Sequence, residues 1–125
     1  MGNHIGINLW NWDLTDRRVL PELIGRIAEM GYTSVEIPCL GYTAAETAAI
    51  AQAVQAHGLH ATVCAAMTAG RDFASDDPHE TANARRYLSD CLRFAAACGA
   101  TLLCGPLYAG GGHRVYLNDR RQLPL

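Results

Sequence analysis

Few side chains in this sequence can do chemistry, and Glu36 stands first among them. It lies between Val35 and Ile37 in a short β-like run, so the two apolar neighbours share one face and the carboxylate takes the other. A carboxylate on the inner face of a sheet is costly unless it is paired. Two roles fit it: contact with a ligand, or a structural pairing with an arginine or a backbone amide. Asn8, Trp10 and Trp12 lie at the end of the first β-like run, where an aromatic ring can stack on a ligand's apolar face or pack under the rim. Cys64 and Met67 close the third run, and a small buried filler is the competing reading for Cys64. Tyr108, His113 and Arg114 accompany the Gly105–Gly112 stretch. A Gly-rich loop with an arginine could hold an anion, but no defined motif is present and a flexible connecting loop is the better reading.

Other groups have structural readings. Asp76, Asp77, His79 and Glu80 look like a metal cluster, but the order acid, Pro78, His79, Glu80 is that of a helix cap and first turn. Five cysteines, Cys39, Cys64, Cys91, Cys98 and Cys104, form no CxxC pair and each sits in an apolar run. They read as buried free thiols of a cytoplasmic protein in a reducing compartment. Arg85, Arg86 and Arg93 read as a solvated helix face.

The elements that must position these groups alternate. Strands are expected at about Ile5–Leu9, Thr33–Ile37, His60–Ala65 and Thr101–Cys104. The first helix carries Leu20, Leu23, Ile24 and Ile27 on one stripe, with Pro21 in its first turn and Gly31 as a left-handed cap. Thr43 and Glu46 form a capping box for the second helix, which Gly58 closes. The third helix has the stripe Ala84, Tyr87, Leu88, Cys91, Leu92, Ala95 and Cys98, closed by Gly99. Three helices thus end near a glycine that leads into a strand, an internal repeat of the βα type. Strands joined by helices run parallel. No GxGxxG follows the first strand, so the dinucleotide fingerprint is absent. Four strands in 125 residues make either a small open sheet or half of an eight-stranded barrel, which needs about 250 residues.

Composition narrows the function. Twelve acidic against ten basic residues give a net charge of −2, without the basic surplus of a nucleic-acid or acidic-membrane surface. No apolar run approaches the roughly 18 residues of a membrane helix. No secretory signal is visible at the start, and Gly6 stands where a myristoylation motif needs Ser or Thr.

Four stretches carry a resemblance: Gly6-Ile7-Asn8-Leu9-Trp10-Asn11-Trp12; Arg26 to Tyr32 leading to Val35-Glu36-Ile37; Asp72-Phe73-Ala74-Ser75; and Gly105-Pro106-Leu107-Tyr108. Together they resemble the sugar phosphate isomerase/epimerase family with a xylose-isomerase-like barrel, above all its ketose 3-epimerases. The resemblance implies an α/β fold, a partial (β/α)8 TIM barrel of about four parallel strands and three helices. Residues 1–112 would be the N-terminal half of the barrel, and 113–125 a truncated loop and the start of a fourth helix. It implies a metal-dependent isomerase or epimerase that moves a proton through an enediolate, with Mn²⁺ or Mg²⁺ on two sugar oxygens. Asn8, Trp12, Glu36, Cys64 and Tyr108 would bind a small sugar or sugar phosphate, Cys64 standing where a small or thiol residue lines the pocket.

In the family, two Glu, one Asp and one His on strands five to eight hold the metal. Those strands are expected to lie outside this chain, so no catalytic residue, no metal ligand and no bound metal are expected in it, and the chain alone is expected to be inactive. The abasic-site endonuclease branch of the superfamily would need several His and Glu ligands and a basic groove, which the sequence does not offer. The alternative is a non-catalytic half-barrel that pairs with itself or another chain. Three helices cover one face of a parallel sheet, and the uncovered face and two free edges lead us to expect a homo-oligomer.

Overall fold

A parallel strand pair needs a return connection of a dozen or more residues, and the helical stripes supply it. The computed structural model describes residues 2–110. Gly111, Gly112, His113, Arg114 and the expected start of a fourth helix lie outside the described residues. The elements run β1 (Gly6–Asn8), α1 (Leu20–Glu29), β2 (Ser34–Pro38), α2 (Ala44–Ala56), β3 (His60–Cys64), α3 (Pro78–Ala97) and β4 (Leu103–Cys104). One parallel sheet has the order β1-β2-β3-β4. Sequential order is what a barrel segment requires, whereas a doubly wound sheet would reverse direction after its first strand.

Among the described residues the chain forms two compact units, residues 2–65 with 90–104, and residues 66–89 with 105–110. The first holds the whole sheet, α1, α2 and the last turns of α3. Its register sets two faces. Ile7, Val35 and Ala61 are partners in one row, and Ile37, Val63 and Leu103 in the next on the same face. Val35, Ile37 and Val63 have no exposed surface, nor do Leu20, Ile24 and Ile27 of α1. Each buried Leu or Ile side chain stabilises the unit by about 1.5–3 kcal/mol, so this face and the helix stripes account for the core. Ile50, Ala53 and Val54 of α2 and Cys91, Phe94, Ala95 and Cys98 are buried as well. Gly25 lets α1 approach the end of α2: a Cβ there would stand 2.9 Å from His57 Nε2.

Local chemistry places the helix ends. The Thr43 hydroxyl accepts the Glu46 N–H at 3.2 Å, and the Glu46 carboxylate accepts the Thr43 N–H at 2.8 Å, the expected capping box. Gly31 follows α1 at φ +92°, a conformation other residues avoid. Asp77 accepts the His79 N–H at 2.8 Å, which makes it a cap rather than a metal ligand. Arg17 donates to the carbonyls of Leu40 at 2.8 Å and Gly41 at 3.1 Å, and so fixes the loop that leaves β2.

Three expectations need correction. β1 stops at Asn8, because the Asn8 side chain accepts the Trp10 N–H at 2.8 Å and turns Leu9–Asn11 into a 3-10 helix. Leu92 does not belong to the buried stripe of α3; it is 52% exposed, and Phe94 is buried at 7%. From Cys91, the helical period returns the inward face at positions 94, 95 and 98, and Leu92 falls one step outside it. Nor are all five thiols buried, since Cys64 and Cys104 are half-buried.

The second unit is a loop assembly around the start of α3. Met67 N–H donates to Pro106 O at 3.0 Å. Asp72 is buried and accepts the Ala74 N–H at 2.7 Å. Arg71 lies 3.8 Å over the Tyr87 ring and donates to the Thr68 hydroxyl at 2.7 Å.

Thr43→Ala removes the capping box and should lower stability by about 1 kcal/mol. A urea-denaturation midpoint checks this, and an unchanged midpoint would show that α2 does not depend on its cap.

Candidate functional site

Asn8, Glu36 and Thr62 are register partners, and Pro38, Cys64 and Cys104 follow on the same face one row further along. This is the face opposite the core, at the C-terminal ends of parallel strands, where barrels and open α/β sheets place their sites. Both Glu36 oxygens have partners. Asn8 Nδ2 donates to Oε2, and the Cys104 thiol donates to Oε1 at 3.0 Å. The Asn8 amide also reaches Cys64 Sγ at 3.5 Å. Because Asn8 Oδ1 is taken by the Trp10 N–H, its NH₂ group has to face Glu36 and Cys64. The 3-10 turn therefore orients the amide, and the amide orients the carboxylate.

The electrostatics follow from this geometry. The Cys104 thiol is pushed up to about 11, first by donating to the Glu36 carboxylate, then by burial and by the charge of Glu36. Cys64 is also raised, chiefly by burial and further by the Glu36 charge. The Asn8 amide and the Trp10 indole N–H, which both favour its thiolate, pull the other way.

Of the residues singled out in the sequence, Asn8, Glu36 and Cys64 come together. Trp12 is half-buried and closes the 3-10 turn through its N–H on Leu9 O at 3.1 Å, and among the described hydrogen bonds its indole makes none to the cluster. Tyr108 belongs to the second unit and is 74% exposed. The sequence shows Cys104 only as one thiol among five. The signal that could have found it is its place at the end of the fourth strand, matching Cys64 at the end of the third.

A divalent cation is implied by the sequence resemblance, and the donor set here does not fit one. Among the described residues no group of three or more His, Cys, Asp or Glu side chains is placed to hold a metal ion. The one carboxylate already has a donor on each oxygen, and thiols are poor ligands for hard cations such as Mg²⁺ or Mn²⁺. What the cluster can do is present one negatively charged acceptor, one amide donor and two thiols to a polar ligand, beside the exposed Trp10 ring, which is 60% accessible.

A family model described as "Xylose isomerase-like TIM barrel" matches residues 24–123. The chain belongs to this family. Solved structures agree on the fold. A D-allulose 3-epimerase from Methylomonas sp. superposes with a TM-score of 0.82 at 23% identity, covering 95% of this chain and 42% of that one. An L-ribulose 3-epimerase gives 0.83 at 22%, covering 95% and 40%. A D-psicose 3-epimerase from Clostridium cellulolyticum H10 gives 0.76 at 22%, covering 86% and 38%. The chain thus spans about two fifths of the length of these structures. No curated protein sequence matches it. As a member of this barrel family, the chain carries, among its described residues, four of the fold's strands in their barrel order. Among the described residues, no helix is long and apolar enough to cross a membrane.

The raised thiols give a pH dependence. A cysteine whose folded pKa lies above its unfolded value stabilises the fold at pH values below the unfolded one, and that contribution disappears as pH rises through the folded value. Cys104 and Cys98 both move from near 9 to about 11. The chain should therefore lose stability between about pH 9 and pH 11, and Glu36→Gln should shrink the loss. Urea midpoints across that range measure both; a flat profile would refute the Cys104–Glu36 pairing.

Proposed function

We propose that this chain is the N-terminal part of a sugar isomerase or epimerase of the ketose 3-epimerase kind, and that it supplies substrate contacts rather than the proton-transfer groups. One observation carries the reading: the Asn8–Glu36–Cys64–Cys104 cluster sits at the C-terminal strand ends of a xylose-isomerase-like fold. Related folds are known with D-allulose and D-tagatose bound. Glu36 can accept hydroxyl hydrogens, Asn8 can donate to a hydroxyl or carbonyl oxygen, and an aromatic ring can cover a sugar's C–H face. Trp10 supplies that ring beside the cluster, while Trp12 and Tyr108 join on the strength of the sequence resemblance.

Epimerisation needs a base on one face of the reacting carbon and an acid on the other. Glu36 is the only carboxylate within the four strands. A lone base could remove a proton, but no second carboxylate would return it on the opposite face, and nothing among the described residues would stabilise the enediolate. Each missing contribution is worth several kcal/mol, and every 1.36 kcal/mol is a factor of ten in rate. The family's divalent cation belongs, on this reading, to strands five to eight.

A second reading has its own observation. Asn8, Glu36, Thr62 and Cys64 are part-exposed on the second face of a parallel sheet, and such sheets are ordinarily covered on both. We infer that a second copy of the chain can cover this face. Sedimentation at micromolar concentration should show a dimer or larger species, and a monomer would count against it.

The 125-residue chain with Mn²⁺ should turn over neither D-allulose nor D-fructose, while sugar titration should give a weak, saturable change in tryptophan fluorescence that Glu36→Ala abolishes. A binding curve indifferent to Glu36 would sink the substrate-contact role. Turnover abolished by Glu36→Gln would show that the chain carries a complete catalytic site. In a protein with strands five to eight present, changes at Trp12 or Cys64 should raise KM more than they lower kcat.

A further inference from the structure

Cys64 and Cys104 are partners in register on neighbouring parallel strands. Their Cα atoms are therefore one strand spacing apart, about 4.8 Å, inside the roughly 4.4–6.8 Å over which disulfides form. Their side chains leave the sheet on the same face. Both thiols are half-buried, whereas Cys39, Cys91 and Cys98 are buried. We propose that Cys64 and Cys104 are a reversible oxidation site, joined into an intrachain disulfide across β3 and β4 by a low-molecular-mass disulfide oxidant.

The surroundings assign different tasks to the two sulfurs. Cys64 Sγ accepts from the Asn8 amide, an interaction that stabilises the thiolate, while the Cys104 thiol donates to Glu36, an interaction that stabilises the protonated form. Burial and the Glu36 charge raise Cys64 as well, but Cys104 is in addition held as a donor to that carboxylate and is raised to about 11, so Cys64 is the sulfur more readily freed as the attacking thiolate and Cys104 the resolving one. The Cys64 thiolate attacks one sulfur of the oxidant; the oxidant's S–S bond breaks, one thiolate leaves, and a mixed disulfide remains on Cys64. The Cys104 thiolate then attacks the Cys64 sulfur, the mixed disulfide breaks and the second thiolate leaves. The two protons of the cysteines end on the two released thiols, and the two electrons of the new bond's formation reduce the oxidant.

Two consequences follow from position. Side chains on adjacent parallel strands stand about one strand spacing apart, so the two sulfurs must turn toward each other for the bond to close. Its formation also takes the S–H donor away from Glu36 Oε1. The state of the thiols thereby sets how many donors hold the carboxylate.

The test uses the whole chain under native conditions with glutathione disulfide, acid quenching, alkylation of free thiols, digestion and mass spectrometry. The expected product is a peptide pair linked through Cys64 and Cys104 and separated by dithiothreitol, with Cys39, Cys91 and Cys98 still alkylated after unfolding. In Cys104→Ser the reaction should stop at a glutathione adduct on Cys64. In Cys64→Ser, adduct formation at Cys104 should be several-fold slower, and adding Glu36→Gln should accelerate it. The wild-type peptide map stands without any substitution. Free Cys64 and Cys104 after oxidation, or links only between chains or to the buried cysteines, would overturn the proposal.

Discussion

The strand ends are organised by one constraint: a carboxylate on a sheet face must have its oxygens satisfied. Glu36 meets it with an amide on one side and a thiol on the other, drawn from the two strands that flank β2 and β3. The Asn8 amide can serve only because a 3-10 turn begins where β1 ends and fixes which way the amide faces. Shortening β1 and orienting the carboxylate are thus the same event. A longer first strand would have carried Trp10 into the ladder and left the amide free to flip. The thiol partner depends on register alone, since β4 brings Cys104 to the level of Cys64 and within reach of Glu36.

The same sheet separates two environments. On one face Val35, Ile37 and Val63 are sealed under helices whose stripes supply Leu20, Ile24, Ile27 and Ile50. On the other, one residue along each strand, Asn8, Glu36, Thr62, Cys64 and Cys104 are part-exposed, while Pro38 is buried. A register slip of a single residue would exchange them, putting Glu36 into the helix layer and Ile37 among the polar groups, so the apolar face is what holds the cluster in place. Stability and chemistry are therefore linked through alternation rather than through any shared contact.

Much of this was legible in the sequence, because it is local. The Thr43–Glu46 box, the glycine after α1, the Asp77 cap and the face of Glu36 each depend on residues within a turn of one another. The sequential strand order followed from the βα repeat, and the family likeness was visible in the stretches around Asn8, Glu36, Asp72 and Tyr108. What was hidden is what crosses strands. Nothing near Cys104 in the chain announces Glu36, since 68 residues separate them. The early end of β1 was missed because Asn8 offers its backbone a turn in competition with the ladder. Phe94 was missed for Leu92 because a helical stripe read by apolar residues alone can drift by one or two positions.

The sheet is deep in the middle and shallow at its borders: β2 and β3 have five residues each, β1 three and β4 two. A strand adding to either border would meet only a few backbone partners, each worth about 1 kcal/mol net. Neither described border is then a long template for ribbon growth. A separate molecule that joins this sheet for long must do so through surface area on its polar face, and must bring donors that suit a carboxylate already in use.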